Sequence, residues 1–227
     1  MRSDRALDLP PLQPSVRDAL DRYCELLLQC NASLNLTAAR SPAEVAEHVS
    51  DSLRILPYVA FPLVDVGSGG GFPGIALAIA SGGAVTLIEA AAKKARFLES
   101  VIGMLGLEVT VVIARAEDAA RRADLREHFA AATARGVAGL STVLELTVPF
   151  LAVGGIAVLQ RGRLLPQERE TAADAALVLG AEIVGERATG ETPEDQRRVL
   201  LVRKSAPTPA RFPRRVGMPA KRPLCGA

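Results

Sequence analysis

Apolar positions first recur at helical spacing. After Pro14-Ser15, the residues Val16, Ala19, Leu20, Tyr23, Leu26 and Leu27 fall three or four apart, which predicts an amphipathic helix. The polar run 31–37 breaks it. Ser41-Pro42 opens a second helix, with Ser41 as N-cap, Pro at the first helical position and Glu44 placed to close a capping box. This helix is expected to run to about Leu56, before Pro57. From Leu63 the period changes, and short apolar runs alternate with helical stretches. Strands are expected at Leu63–Val66, 84–88, Val109–Ile113, Phe129–Ala134, 155–159, 182–187 and 199–203. Helices are expected at 75–80, 93–105, from about Asp118, at 141–150 and at 167–179. Alternation of this kind predicts an α/β fold, with a mostly parallel sheet covered on both faces. No internal repeat is visible. The pattern divides the chain into an N-terminal helical extension (1–60), a Rossmann-like domain (61–204) and a Pro-rich tail (205–227) that reads as an extended segment lying on something.

The first strand runs directly into Asp65-Val66-Gly67-Ser68-Gly69-Gly70-Gly71-Phe72-Pro73-Gly74. Glycines between a strand and a helix let the chain turn sharply and let a ligand approach the backbone. A pyrophosphate beside Asp65 would be repelled, whereas the ammonium of a methionine moiety would be attracted. That sign favours S-adenosylmethionine over a nicotinamide dinucleotide. Glu89 ends the second strand, where an acid suits hydrogen bonding to ribose hydroxyls in either class. Ala116-Glu117, after the third strand, marks a place for an adenine ring. An NAD-dependent oxidoreductase and a non-catalytic RNA-binding module remain alternatives. The first would need a proton-donating substrate domain, which is not visible after the fifth strand. The second sits poorly with an intact Asp65 loop and Glu89.

Composition narrows the setting. The chain has 227 residues, 49% hydrophobic and 23% charged, a globular balance. Trp is absent, so Leu, Val, Ile and Ala must fill the core. The net charge of +2 is too small to imply a polyanionic partner. Its distribution says more: from Leu201 onward there is no acid, yet there are Arg203, Lys204, Arg211, Arg214, Arg215, Lys221 and Arg222. A basic end is read either as a solvated tail or as an RNA contact. Cys24, Cys30 and Cys225 have neither paired nor metal-binding spacing, which fits a reducing compartment. The polar start of the chain and the absence of a long apolar run lead to the expectation of a soluble, cytoplasmic protein.

The ordered set of motifs resembles the bacterial small-subunit ribosomal RNA guanine-N7 methyltransferases, also called glucose-inhibited division protein B. The resemblance runs from about Asn31 to Leu224. It rests on Asn35-Leu36-Thr37, His48 with Asp51-Ser52, the Asp65 loop through Phe72-Pro73-Gly74, Leu87-Ile88-Glu89, Lys93-Lys94, Arg96-Phe97-Leu98, Arg115 with Glu117, Arg135, Gly154-Gly155, Arg198, Lys204 and the terminal Phe212-Pro213-Arg214-Arg215, Gly217 and Lys221-Arg222-Pro223-Leu224. The chain departs from the family's usual residues at Cys30, Ala130 and Gly136, and carries Arg161-Gly162 where the family often has Lys before the glycine.

The resemblance implies a Rossmann-like class I S-adenosylmethionine-dependent methyltransferase fold, with a mostly parallel seven-stranded sheet and N-terminal helices. It implies methyl transfer to N7 of a guanosine in the decoding-region loop of 16S rRNA. Cofactor contacts are then expected from Asp65, Gly67, Ser68, Gly69, Phe72, Glu89, Ala90, Ala116, Glu117 and Arg135. RNA contacts are expected from Arg161, Arg198, Arg214, Arg215 and Lys221, with Arg135 and Arg198 as positioning candidates. No metal, no acid–base residue, no membrane contact and a monomeric state are expected. N7 carries a lone pair and no proton, so no general base is needed. His48 and Asp51 share one helical face and are read chiefly as a packing or orienting pair.

Overall fold

The computed structural model describes residues 12–190 and 195–224; the first eleven residues and Cys225 lie outside them. Two helices, α1 (Pro14–Leu34) and α2 (Pro42–Leu53), lead into the sheet. There β1 (Leu63–Val66), α3 (Gly74–Ser81), β2 (Val85–Glu89), α4 (Ala92–Leu105), β3 (Val109–Ile113), α5 (Ala116–Ala119), β4 (Phe129–Ala134), α6 (Leu140–Thr147), β5 (Leu151–Arg161), α7 (Pro166–Val178), β6 (Ala181–Ala188) and β7 (Arg198–Lys204) follow. A short α8 (Met218–Lys221) lies near the end. The seven strands take the order β3-β2-β1-β4-β5-β7-β6, and only β7 runs antiparallel to its neighbours. The chain leaves β1 towards β2 and β3, then returns to β4 on β1's other side. That reversal opens a crevice at the carboxyl ends of β1 and β4, where ligands bind in such sheets.

Strand periods transfer closely from sequence to structure; helix ends do not. The helix α1 continues past Asn31 because the Asn31 amide meets its own bonding needs. Its Oδ1 accepts from the N–H groups of Leu36 (2.8 Å) and Thr37 (3.0 Å), and its Nδ2 donates to the carbonyls of Thr37 (3.1 Å) and Ala39 (2.8 Å). The capping box at Ser41 and Glu44 is present. The helix it starts stops at Leu53, short of Leu56, and gives way to a 3-10 turn over Leu56–Tyr58. Pro57 restricts the residue before it and supplies no N–H to the helix. The Arg-rich helix expected from Asp118 is a single turn, α5, because Arg121 and Arg126 reach for carbonyls of the C-terminal segment. The strand β5 begins four residues earlier than expected, with Gly154 at φ 90° beside an irregular register against β4.

One face of the sheet is packed by α1 to α4, joining Leu20, Tyr23, Leu27 and Val45 to Leu63 and Leu87. The N-terminal helices therefore belong to the same core as β1 and β2. The other face is packed by α6 and α7, with Leu144, Phe150, Ala172 and Ala176. Phe212 of the tail joins that second cluster.

Asp65 ties the crevice together. Its side chain is fully buried; Oδ1 accepts from the Thr133 hydroxyl of β4 (3.0 Å) and Oδ2 from the Gly74 N–H that opens α3 (3.1 Å). Only glycine fits at position 74, since a Cβ would lie 2.4 Å from the Leu87 side chain and 2.7 Å from that Oδ2. Burial is the main reason that the Asp65 carboxyl is pushed up to about 6, against hydrogen bonds that lower it. An Asp in an unfolded chain titrates at about 3.9. The fold therefore binds this proton more tightly than the unfolded chain, so the group favours folding at low pH and that contribution is lost as pH rises through about 6. Asp65→Asn keeps the shape and removes the buried charge. Its melting temperature should exceed wild type at about pH 8, with the gain shrinking towards about pH 4; calorimetric scans across that range check it.

The tail is docked rather than loose. Glu145, fully buried on α6, takes a two-pronged contact from the Arg214 guanidinium (2.6 and 2.9 Å) and a further bond from the Arg214 N–H (2.7 Å). Thr142 donates to the Pro219 carbonyl, and Lys204 with Glu127 holds Thr208. Glu145 is buried and Arg214 partly exposed, so removing Arg214 strands a buried charge, which costs up to about 3–5 kcal/mol. Arg214→Ala should lower the urea midpoint accordingly, while Arg215→Ala, at an exposed position, should leave it within about 0.5 kcal/mol of wild type.

Candidate active site

A cleft of about 330 Å³ occupies the crevice. Its floor is Val66 and Gly67 from the end of β1, its sides are Ile88, Glu89 and Ala90 after β2 and Ala114 to Glu117 after β3, and α6 closes it with Thr142 and Leu146. The final wall comes from the C-terminal segment through Val216, Gly217 and Ala220. Glu117 fixes that wall, accepting the Gly217 N–H at 2.8 Å. The middle of the slot is apolar and suits a flat ring. Its carboxylates are those of Glu89, at the end of β2, and Glu117, on α5.

The glycine loop is held rigidly from beneath. Glu89 accepts from Gly69 N–H (2.9 Å) with one oxygen and from Ala91 N–H (2.7 Å) with the other. Gly67, at φ 74°, is where the backbone borders the cleft, and a Cβ there would come within 2.8 Å of Val137. Gly69 is left-handed at φ 55° but has no protein atom within 3.8 Å of a Cβ. Gly71, at φ 106°, is more crowded, since a Cβ there would lie 2.7 Å from Ile75 and 2.8 Å from the Tyr23 hydroxyl. Gly70 is close-packed against Leu27 and the Leu36 carbonyl at 3.1 and 3.2 Å. Tyr23 donates its hydroxyl to the Gly70 carbonyl (2.7 Å), and burial raises its phenol well above the ordinary value, so it remains a donor. Helix α1 is thus the bed on which the loop rests.

Beyond the loop, Phe72 is enclosed by three side chains. The Tyr23 and His48 rings lie 5.3 and 5.5 Å from it, and the Arg135 guanidinium sits over its face at 4.9 Å, a cation–π contact. Burial, helped by Arg135, holds the His48 imidazole below its ordinary pKa against the pull of Asp51. Among the described residues no carboxylate pairs directly with Arg135. On the other side of Arg135 opens a polar pocket of about 390 Å³, bounded by Asp51, Gln160, Arg161, Asp195, Arg197 and Arg198.

The expected site residues separate into groups. Gly67, Glu89, Ala90, Ala116 and Glu117 line the cleft. Asp65 and Ser68 stand behind the loop: Asp65 is buried on Thr133 and Gly74, and the Ser68 hydroxyl donates to the Asp65 carbonyl (2.9 Å). Direct contact between the Asp65 carboxylate and a ligand ammonium, the reason it was singled out, is not what the structure displays. Gly69 is held on Glu89, Phe72 packs among Tyr23 and His48, and Arg135 borders the polar pocket. Arg161 and Arg198 border the polar pocket. Arg215 and Lys221 are exposed, whereas Arg214 is occupied by Glu145 and so does not present a free guanidinium to RNA. Tyr23, Thr142, Gln160, Arg197 and Gly217 were not foreseen. Only their distance in sequence from the glycine loop hid them. Among the described residues no group of acids, His and Cys could hold a metal, and no helix is long and apolar enough to cross a membrane.

Known proteins match this arrangement. The family model for GidB, described as rRNA small subunit methyltransferase G, matches residues 17–197. A ribosomal RNA small subunit methyltransferase G of Rubrobacter xylanophilus is 44% identical over 91% of this chain and 83% of its own. One from Pelotomaculum thermopropionicum is 42% identical over 90% and 89%. Among solved structures, an O-methyltransferase from Bacillus cereus in complex with SAH superimposes with a TM-score of 0.55 at 20% identity, over 86% of this chain and 93% of that one. A Burkholderia thailandensis N1-methyltransferase gives 0.53 at 13%, over 88% and 94%. The second pair shows the Rossmann-like fold. The first pair and the family model show the family: this chain belongs to the small-subunit ribosomal RNA methyltransferase G family.

Proposed function

We propose that this protein transfers a methyl group from S-adenosylmethionine to N7 of a guanosine in 16S rRNA, acting in the cytoplasm and as a monomer. The observation that carries the reading is an apolar slot bordered by Glu89 and Glu117 at the carboxyl ends of the first strands, accompanied by an arginine-lined pocket of about 390 Å³ that is large enough for a base and has Arg135 on its border. The residues present fit the cofactor. Glu89 is placed for ribose hydroxyls, the slot among Ile88, Ala116 and Leu146 for adenine, and Gly67 for close backbone approach. When bound, S-adenosylmethionine supplies a methyl group on a sulfonium, open to in-line attack by the unprotonated N7.

The chain's own residues then position and exclude. Tyr23 and Glu89 keep the loop rigid. Arg135, stacked on Phe72, brings a cation to the edge of the polar pocket, where a negatively charged ligand group would find it. An rRNA base must leave its stack to enter the pocket, and arginine planes suit such unpaired bases. Arg161, Arg198, Arg215 and Lys221 supply the RNA-facing charge. An oxidoreductase reading finds no support among the relatives, which are named as methyltransferases.

Small subunits lacking the modification should accept one labelled methyl group per particle, and mapping should place it on a guanine N7. Glu89→Ala should weaken cofactor binding at least tenfold in calorimetry. Arg198→Ala should instead raise the concentration of subunit needed and leave cofactor affinity unchanged. Single-turnover rates should be flat from neutral to mildly alkaline pH, because His48 is already neutral there and N7 has no proton to lose. A single-proton slope that vanishes in His48→Ala would overturn the absence of a general base.

A further inference from the structure

The polar pocket has a chemical polarity that a general RNA-binding surface would not need. Four arginines border it, Arg135, Arg161, Arg197 and Arg198, yet Asp51 and Asp195 stand among them. A pocket built only for phosphate would exclude carboxylates, since an acid beside a phosphodiester is repulsive. Asp51 is held firmly. It sits on α2, its Oδ1 accepts from Arg197 (2.6 Å) and more weakly from Arg54 (3.4 Å), and its backbone carbonyl accepts from Gln160 Nε2 (2.8 Å). Arg197 is itself braced by Glu47. Among the described residues these bonds leave Asp51 Oδ2 without a hydrogen-bond donor. Gln160 adds a second acceptor, because its Oε1 is buried and without a partner among the described residues. A buried acceptor left unmade is costly, which points to a ligand that carries donors.

The edge of guanine that pairs with cytosine offers N1–H and the N2 amine as donors beside the O6 acceptor. Adenine offers an acceptor at N1 instead. We propose that Asp51 is the specificity-determining residue for the target base: its carboxylate accepts from the N1–H and N2 amine of guanine, Gln160 supports it, and a neighbouring arginine donates to O6. Recognition of this edge leaves N7, on the neighbouring edge of the five-membered ring beside O6, free for the methyl donor. The inference rests on the proposed rRNA guanine activity and identifies how that site selects its base.

The test uses the full chain and small subunits reconstituted with guanosine or inosine at the target position. Inosine keeps N1–H, O6 and N7 and lacks only the N2 amine. Wild type should prefer guanosine by about tenfold to a hundredfold in kcat/KM, the value of a hydrogen bond to a charged acceptor. Asp51→Asn should lower guanosine turnover and abolish most of that preference, with cofactor affinity retained. Gln160→Met, which leaves the Asp51 carboxylate and its arginines in place, should reduce the preference in part and guards against an Asp51 variant that does not fold. Equal wild-type rates on the two substrates would overturn the proposal. So would a variant that slows both alike, which makes Asp51 an anchor for Arg197 only. Tighter RNA binding by Asp51→Asn with the preference unchanged would mean that the pocket takes a phosphodiester. Failure of wild type to methylate either particle would instead sink the activity itself.

Discussion

The buried carboxylate of Asp65 is the constraint on which the site depends. It lies where the sheet reverses its order, and from β1 it bonds to β4 and to the start of α3. A charged group in this place costs stability, as its raised pKa shows. The return is geometric. Thr133 and Gly74 are fixed relative to β1, so the glycine loop between Asp65 and Gly74 has both ends pinned. Leu87 and Asp65 leave no room for a side chain at 74, which makes the glycine a consequence of the acid's position.

With its ends fixed, the loop is shaped from below and above by segments far away in sequence. Tyr23 and the Leu36 carbonyl support it from the N-terminal helices, and the Asn31 amide holds Leu36 in place to do so. On the opposite side the C-terminal segment completes the cleft wall, latched by Arg214 on Glu145 and by Gly217 on Glu117. The N-terminal helices therefore shape the loop beside the cleft, and the C-terminal segment forms part of its wall. The tail's basic character divides accordingly: Arg214 is structural, while Arg215 and Lys221 remain outward.

Such a design suits a reaction that needs alignment more than proton transfer. Holding two reactants in line can lower a barrier by about 7–11 kcal/mol. The rigid members here are a loop bonded at Gly69 and Gly70, a guanidinium stacked on Phe72, and an Asp51 carboxylate clamped by Arg197. None needs to change protonation during turnover. His48, kept neutral beside Arg135, contributes an edge to Phe72.

The sequence by itself determined the strand periods, the glycine loop after β1, the acid ending β2 and the family resemblance. These are local: apolar alternation and glycine spacing act within ten residues or fewer, and β1, β3 and β4 begin and end where the pattern says. It also supplied the list of arginines, but not their fates. Arg214 and Arg215 are adjacent and chemically identical, and only the position of Glu145, 69 residues away, makes one a partly buried strut and leaves the other in solvent. Asp65 was legible as important, but the reason was not, since its partners Thr133 and Gly74 meet it only when β4 returns beside β1. The helix ends at Asn31 and Asp118 were misread for the same cause. The polar groups that seemed free to break a helix, or to extend one, had tertiary partners that outweighed local propensity. Which side chains bound each cavity was therefore decided by the strand crossover and by the docking of the two chain ends, long-range contacts that no local pattern encodes.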